Sequence, residues 1–365
     1  MKRRNFTKTL AASATLMGLA PYYSCNQSAQ PLNILVLGGT DFLGPAIVRA
    51  ILKKGHSPTL FNRGKTNPTL FPNLPLIKGD RDKGAPSYST LKNTQWDVVI
   101  DVWPQKSALV QEAAASLTAH TKHYVFISSV AVYKDFNDSG RAEDYQLVHL
   151  PEDKSKWDYP EEKTAAEMQV IKNFPGRHTI LRPGPIKGWR DPAYDLLYWL
   201  IKLDRGENIL CPGDGQDGLQ FIDVNDVGAF AVLAAEKKLI GAYNCTGPTP
   251  QKLSWRSFLE RAKNHLKSPS ELVWSTQAKL QELNVYPWSD LPLWAPTTDD
   301  YFMEISNAKA VAAGFEYTPI EKTISDCLAW YNKQGAPDVT FGEGNEPVGM
   351  ERARELEVLE SLKKG

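Results

Sequence analysis

From Asn33 onward the apolar positions fall into short unbroken runs, NILVL, SPTLFN, PLIKG, WDVVIDV and HYVFIS, separated by polar and glycine-bearing segments. Continuous apolar runs of this length predict strands covered on both faces, where a half-exposed strand would alternate. Between them the apolar spacing is helical, over a segment ending near Lys54 and over Ser107 to Leu117. Strand and helix in alternation predict an α/β fold with a doubly wound parallel sheet.

After HTILRPGPIKG the rhythm changes. Trp, Pro and Asp become frequent, and the spacing predicts helices over 194–204, 226–237, 253–266 and 320–333. This reads as a smaller, mainly helical substrate-side lobe, with LQFIDVNDV and GAYNCTG expected to return strands to the main sheet. A Gly/Pro-rich stretch from Gly335 to Met350 precedes a charged helix, ERARELEVLESLKK, expected as a surface appendage. The division is therefore a dinucleotide-binding domain over 33–190, a lobe over 191–335 and a tail over 336–365.

The first residues follow another logic. MKRRNFTKTLAASATLMGLAPYYSC pairs two arginines with a weakly apolar run from Leu10 to Ala20, too short to span a bilayer. It reads as an export signal of the twin-arginine kind over 1–24, followed by a linker over 25–32, which places the mature protein in the periplasm. Cys25 is a candidate lipid anchor. Cys211, Cys245 and Cys327 are scattered with no metal-ligand spacing, so core thiols are expected and no metal.

Charge narrows the partners. The whole chain of 365 residues carries 42 basic and 42 acidic residues, and without the first 24 it carries 38 basic against 42 acidic. No global basic field recruits nucleic acid.

The chemistry begins at LGGTDFLG. Gly38 and Gly44 keep the outer spacing of a GxxGxxG turn, the first for the tight exit from the strand and the last for close approach of helix to sheet. Such a turn aims a helix N-terminus at a diphosphate. Asp41 replaces the middle glycine; its carboxylate either caps the helix or points aside, since it would repel the diphosphate. Asn62 and Arg63 fall 18 and 19 residues after Gly44, where an acid binds the adenosine ribose in NAD enzymes. An amide and a guanidinium there favour the 2′-phosphate of NADP over NAD, unless NRGK is a plain solvated turn. Asp80 in IKGDRD, with Arg81 beside it, ends the third short strand within reach of an adenine; capping a helix is its alternative.

YxxxK places a phenol one helical turn from a lysine, which lowers the phenol pKa from about 10. The pattern occurs at Tyr88/Lys92, Tyr159/Lys163 and Tyr198/Lys202. Only Tyr159 and Lys163 follow the fifth strand, whose end carries Ser129 to hydrogen-bond a reacting oxygen. Pro160 disfavours helical dihedrals at Tyr159, so Tyr159 is expected at the cap position with its hydroxyl displaced.

Together GGTDFLG, SSVAVY, YPEEK and LRPGPIKG resemble the extended short-chain dehydrogenase/reductase superfamily, in its NAD-dependent epimerase/dehydratase branch, over roughly 33 to 335. The resemblance implies Ser129, Tyr159 and Lys163 as catalytic triad. It implies Gly38, Thr40, Phe42, Leu43 and Gly44 as the diphosphate turn, and Pro183 to Ile186 against the nicotinamide. It also implies a homodimer. Val130 and Ala131 follow Ser129 where sugar 4,6-dehydratases carry an Asp-Glu pair, which argues against dehydration. GGTDFLG with FNRGK also resembles the atypical group that includes chloroplast stem-loop RNA-binding proteins, a reading the neutral charge does not favour. Trp189 and Arg190 follow the nicotinamide loop, where they could bind sugar hydroxyls; core packing is the alternative for Trp189. Asp223 and Asp226 read as helix caps sooner than catalysts.

An exported enzyme meets little free nicotinamide cofactor. The expectation that fits both ends of the chain is a tightly held NAD(P), reduced and re-oxidised within one cycle, as in an epimerase acting on a sugar-like substrate. The alternatives are a ketone or sugar reductase using diffusible NADPH and a non-catalytic nucleotide-binding relative.

Overall fold

Strand after strand of the first half enters one parallel sheet, because both faces of each apolar run can be buried only when helices cover the sheet from both sides. A computed structural model of the chain describes residues 30–102, 105–249, 252–298, 300–335, 341–342 and 348–364. The stretch expected to be an export signal, and Cys25, lie outside the described residues. In chain order the elements are β1 (Asn33–Leu37), α1 (Leu43–Lys53), β2 (Ser57–Asn62), β3 (Leu76–Lys78), β4 (Trp96–Asp101), α2 (Ser107–Leu117), β5 (Thr121–Ile127), α3 (Tyr159–Asn173) and β6 (His178–Pro183). There follow β7 (Ile186–Lys187), α4 (Asp195–Asp204), β8 (Ile209–Leu210), β9 (Ile222–Asp223), α5 (Val224–Lys237), β10 (Gly241–Cys245), α6 (Trp255–Leu266) and β11 (Leu272–Val273). The chain continues through α7 (Gln277–Glu282), α8 (Ala308–Ala313), α9 (Ile320–Lys333) and α10 (Arg352–Lys364).

The main sheet has seven strands in the order β10-β6-β5-β4-β1-β2-β3, all neighbours parallel. This is the doubly wound, Rossmann-like architecture. Strand order reverses at β1, which pairs with β2 on one side and β4 on the other. Side chains alternate across the sheet as the pleat requires. Ile34 and Val36 join Ile47, Val48 and Ile51 of α1 and Val227 and Phe230 of α5 in one layer. Leu35 and Leu37 join Val110 and Leu117 of α2 and Ala166 and Val170 of α3 in the other. Helix α5 comes so near α1 that a Cβ on Gly228 would stand 2.8 Å from the Ala46 carbonyl carbon.

The region Leu32–Gly365 forms one compact unit with a second core beside the sheet, built from α4, α6, α9 and α10 around Trp199, Trp255 and Trp294. Two expectations are corrected there. GAYNC returns to the main sheet as β10, but LQFIDV supplies only β9, which pairs with β7 in a separate two-stranded ladder. The charged α10 is no surface appendage: Val358 and Leu359 enter the second core, and Glu355 is buried against Lys202. Glu355 also accepts from the Leu210 N–H at 3.0 Å and pairs with Arg352 at 2.6 Å. Charge counting alone hides such a helix, because its apolar positions are few and its one buried carboxylate needs a partner 153 residues away.

A buried pair that loses one member leaves an uncompensated charge. Glu355→Ala should cost about 3–5 kcal/mol, and Lys202→Met with Glu355→Leu should recover most of it. Urea unfolding of the single and double variants measures both.

Candidate active site

The glycine turn is shaped by backbone contact. Gly38 and Gly39 hold φ of 119° and 100°, left-handed values open to residues without a Cβ. A Cβ on Gly44 would lie 2.5 Å from the Gly39 Cα, so the first turn of α1 sits directly on the loop that precedes it. Sequence reasoning passed over Gly39, although the doubled glycine of LGGTDFLG was its signal. Helix α1 starts at Leu43 with Phe42 as N-cap, no side-chain cap and no acidic residue in its first turn. Asp41 is exposed and does not cap the helix. The leading N–H groups therefore stay open, with the positive end of the helix dipole behind them.

This turn forms one wall of a cleft of about 550 Å³ at the C-terminal ends of β1 and β4, the point where strand order reverses. Gly38, Thr40, Phe42, Leu43 and Gly44 all line it. So do the residues proposed for the adenosine end, though the structure gives them different work. Asn62 is tied into the backbone: its amide donates to the Gly38 carbonyl at 3.0 Å and its oxygen accepts from the Gly64 N–H at 2.7 Å. Arg63 is exposed at the cleft wall. Asp80 caps the short 3-10 turn that follows it, accepting from the Asp82 N–H at 3.3 Å. Arg81, expected beside the cofactor, is instead committed to the floor: its guanidinium makes a bidentate pair with Asp101 at 2.6 and 3.0 Å and donates to the Leu109 carbonyl. Burial works against that charge, but the Asp101 carboxylate outweighs it and holds Arg81 firmly protonated.

The opposite end brings together Ser129, Tyr159 and Lys163. Asp158 is the N-cap of α3 in a capping box with Glu161, so Tyr159 is the first helical residue and Pro160 the second. The expected cap position for Tyr159 is thereby corrected, because Asp158 outcompetes it as a cap. Tyr159 is 43% exposed. Burial around its hydroxyl raises the phenol pKa, and Ser129, within hydrogen-bonding reach, pulls it partly back. The Ser129 oxygen accepts from the Ala131 N–H at 3.1 Å, which leaves its proton free to donate. Lys163 is almost fully buried; its ammonium donates to the Ile127 carbonyl at 2.8 Å and lies 5.9 Å from the Tyr159 ring centroid. Burial pulls the Lys163 pKa down to about 8, while Asp101 and Glu167 support the charge. The expected lowering of the Tyr159 pKa by Lys163 is not what the geometry yields, since burial dominates at the phenol. Ser128, which sequence reasoning missed, also lines the cleft, with a buried hydroxyl that has no partner among the described residues.

Pro183, at the end of β6, and Ile186, at the start of β7, line the same cleft. Trp189 and Arg190 do not. Trp189 packs with Ala46 and Val224, donates to Asn225 at 3.0 Å and lies under the Arg49 guanidinium at 4.0 Å, so its packing alternative holds. Arg190 reaches back to the glycine turn and donates to the Asp41 carbonyl at 3.1 Å. The other YxxxK pairs serve packing. Tyr88 is buried against Phe61, and Tyr198 accepts from Lys202 at 3.0 Å within the second core. Among the described residues no group of three or more His, Cys, Asp or Glu could hold a metal, and no helix is long and apolar enough to cross a membrane.

Asp223 caps α5 through the Asn225 N–H at 2.7 Å, as the spacing suggested. Asp226 lies inside that helix and accepts from the Thr318 N–H and hydroxyl at 2.9 and 2.6 Å. Burial still pushes it up to about 7, with Asp223 adding repulsion.

The donor set fits a dinucleotide: a glycine cradle that a Cβ would fill, an uncapped helix N-terminus and a deep cleft leading to a serine, a tyrosine and a lysine. Gly44→Ala should abolish ADP binding and cost about 1–3 kcal/mol through forced overlap with the Gly39 backbone; calorimetry and urea unfolding check both. Asp226 supplies a second expectation. Its folded pKa stands above the unfolded value of about 4, so stability should fall as pH rises from about 4 to about 7 and level off above. Asp226→Asn should flatten that slope, and unfolding midpoints across this range test it.

A model of the NAD dependent epimerase/dehydratase family matches residues 34–245. A Synechocystis protein named "Putative dihydroflavonol 4-reductase" is 25% identical over 337 residues, covering 82% of this chain and 94% of that protein. The Arabidopsis thaliana chloroplast stem-loop binding protein of 41 kDa b is 31% identical over 115 residues, 27% of this chain and only 30% of its own length. The fold is also that of UDP-glucuronic acid 4-epimerase from Bacillus cereus, solved in complex with NAD, with a TM-score of 0.59, 15% identity and coverage of 82% of this chain and 99% of that one.

Proposed function

The chain belongs to the NAD dependent epimerase/dehydratase family, and from that premise we propose that it is an NAD(P)-dependent oxidoreductase or epimerase acting on a hydroxyl-bearing carbon of a sugar or related small molecule. One observation carries this reading: Ser129, Tyr159 and Lys163 meet in the cleft whose other wall is the open glycine turn. When bound there, NAD(P) supplies the hydride acceptor and donor. Tyr159 exchanges the proton of the substrate hydroxyl, and Ser129, with its own oxygen engaged by Ala131, donates a hydrogen bond to the same oxygen. Lys163, fixed by its bond to the Ile127 carbonyl with its ammonium 5.9 Å from the Tyr159 ring centroid, brings a positive charge near the phenol that works against the burial keeping it protonated. A ketone oxygen formed at that carbon would stay within reach of the same Ser129 and Tyr159 hydroxyls, so that the proton could be returned from Tyr159.

The finer reading combines this site with the N-terminus. Export by the twin-arginine route, with Cys25 as a lipid anchor, places the mature homodimer in the periplasm, and a cofactor loaded before export has to stay bound and recycle within one turnover. NADP is the preferred form, on the strength of Arg63 at the cleft wall and the lack of an acid at the end of β2. The likeness to the Synechocystis protein favours a second reading, a ketone reductase using diffusible NADPH.

One measurement separates these readings and a second tests the chemistry they share. Mature protein purified from the periplasmic or membrane fraction and then denatured should release stoichiometric NAD(P); an empty protein retained in the cytoplasm would favour the reductase. Tyr159→Phe should lower hydride exchange by roughly 10²- to 10⁴-fold while leaving nucleotide content unchanged. Undiminished exchange in that variant would remove Tyr159 from the chemistry.

A further inference from the structure

Three carbonyls of the glycine turn accept hydrogen bonds from side chains that are distant or lie in other loops. Asn62 holds the Gly38 carbonyl at 3.0 Å, Asn67 holds the Thr40 carbonyl at 2.7 Å, and Arg190 holds the Asp41 carbonyl at 3.1 Å. In a trans peptide the C=O of one residue and the N–H of the next point in opposite directions. Asn62 lies in the cleft wall, but drawing the Thr40 and Asp41 oxygens toward Asn67 and Arg190 turns the N–H groups of Asp41 and Phe42 the opposite way. Neither Asn67 nor Arg190 lines the cleft, whereas the turn itself does from Gly38 to Gly44. The Gly38 N–H is spent on the Phe61 carbonyl at 2.9 Å, but from Gly39 to Gly44 no backbone N–H donates to a protein acceptor among the described residues. A row of open donors so close to the interior calls for an anionic acceptor.

We infer that Asn67 and Arg190 are positioning residues that clamp the glycine turn from outside and orient its N–H groups toward the diphosphate of the dinucleotide. The inference rests on the reading of the cleft as a dinucleotide site, and deepens it. A second observation supports the clamp independently of the hydrogen bonds. Asn67 and Arg190 both hold left-handed backbones, with φ of 43° and 67°. Such conformations cost energy in residues with a Cβ and persist where surrounding structure imposes them, notably at ligand clamps. The loop carrying Asn67 also contributes Lys65 and Thr66 to the cleft, and the loop carrying Arg190 contributes Pro192, so both clamps belong to loops that reach the cleft wall. Arg190 adds a positive charge beside the turn at the position where Asp41 brings a negative one, which offsets the departure of this turn from an all-glycine pattern.

The test uses the full chain, stripped of co-purified nucleotide, with Asn67→Gly, Arg190→Gly and Arg190→Lys. Glycine accepts the left-handed backbone, so each deletion removes the clamp while relieving strain. Calorimetric titration with ADP and with adenosine separates diphosphate binding from the rest of the pocket. The inference expects ADP to weaken by about tenfold in each glycine variant, adenosine to hold within about twofold, and Arg190→Lys to recover part of the loss. Unchanged ADP affinity, or equal weakening of ADP and adenosine, would overturn the clamp while leaving the nucleotide site in place. A wild-type chain that binds neither ligand would overturn the nucleotide reading itself, and the clamp with it.

Discussion

Helix α1 rests on the glycine turn at bare backbone contact, and the rest of the site follows from that approach. With Gly44 against Gly39, no side chain can stand between the end of β1 and the start of the helix. The N–H groups of the first helical turn then face the cleft, and Phe42, a residue unable to cap through its side chain, leaves them open. The reversal of strand order at β1 supplies the space in front of them, because the crossovers to β2 and β4 leave on opposite faces of the sheet.

Charge below the cleft is arranged with equal economy. Arg81 and Asp101 form a buried pair, joined by the Tyr124 hydroxyl at 2.7 Å, and Lys163 lies within their field. Asp101 favours the lysine charge and Arg81 opposes it, so the pair contributes less than either alone. Burial then decides the direction, bringing Lys163 down to about 8, which still leaves it mostly protonated at neutral pH.

The second core shows what the C-terminal third is for. Helices α4, α6 and α9 supply most of its apolar surface, and α10 closes it with a carboxylate that reaches Lys202. Tyr198 and Lys202, which repeat the spacing of the active pair, are spent on this closure. Spacing on a helix brings a phenol and an ammonium together wherever it occurs; only the elements around the pair decide whether they face a cleft or a core.

What the sequence determined by itself is local or periodic. The strands, the helix after the turn, the helices of the lobe and the positions of Gly38, Gly44, Ser129, Tyr159 and Lys163 all follow from patterns spanning a few turns of chain, where backbone sterics and side-chain period act directly. The tertiary structure alone decided the rest. It turned Arg81 to Asp101, Arg190 to the Asp41 carbonyl, Trp189 into packing and Glu355 to Lys202. Each of these depends on a partner between 20 and 153 residues away. A long polar side chain carries no local sign of its partner, since its reach exceeds the spacing of any motif and the desolvation that makes the pairing decisive exists only once the chain has closed around it.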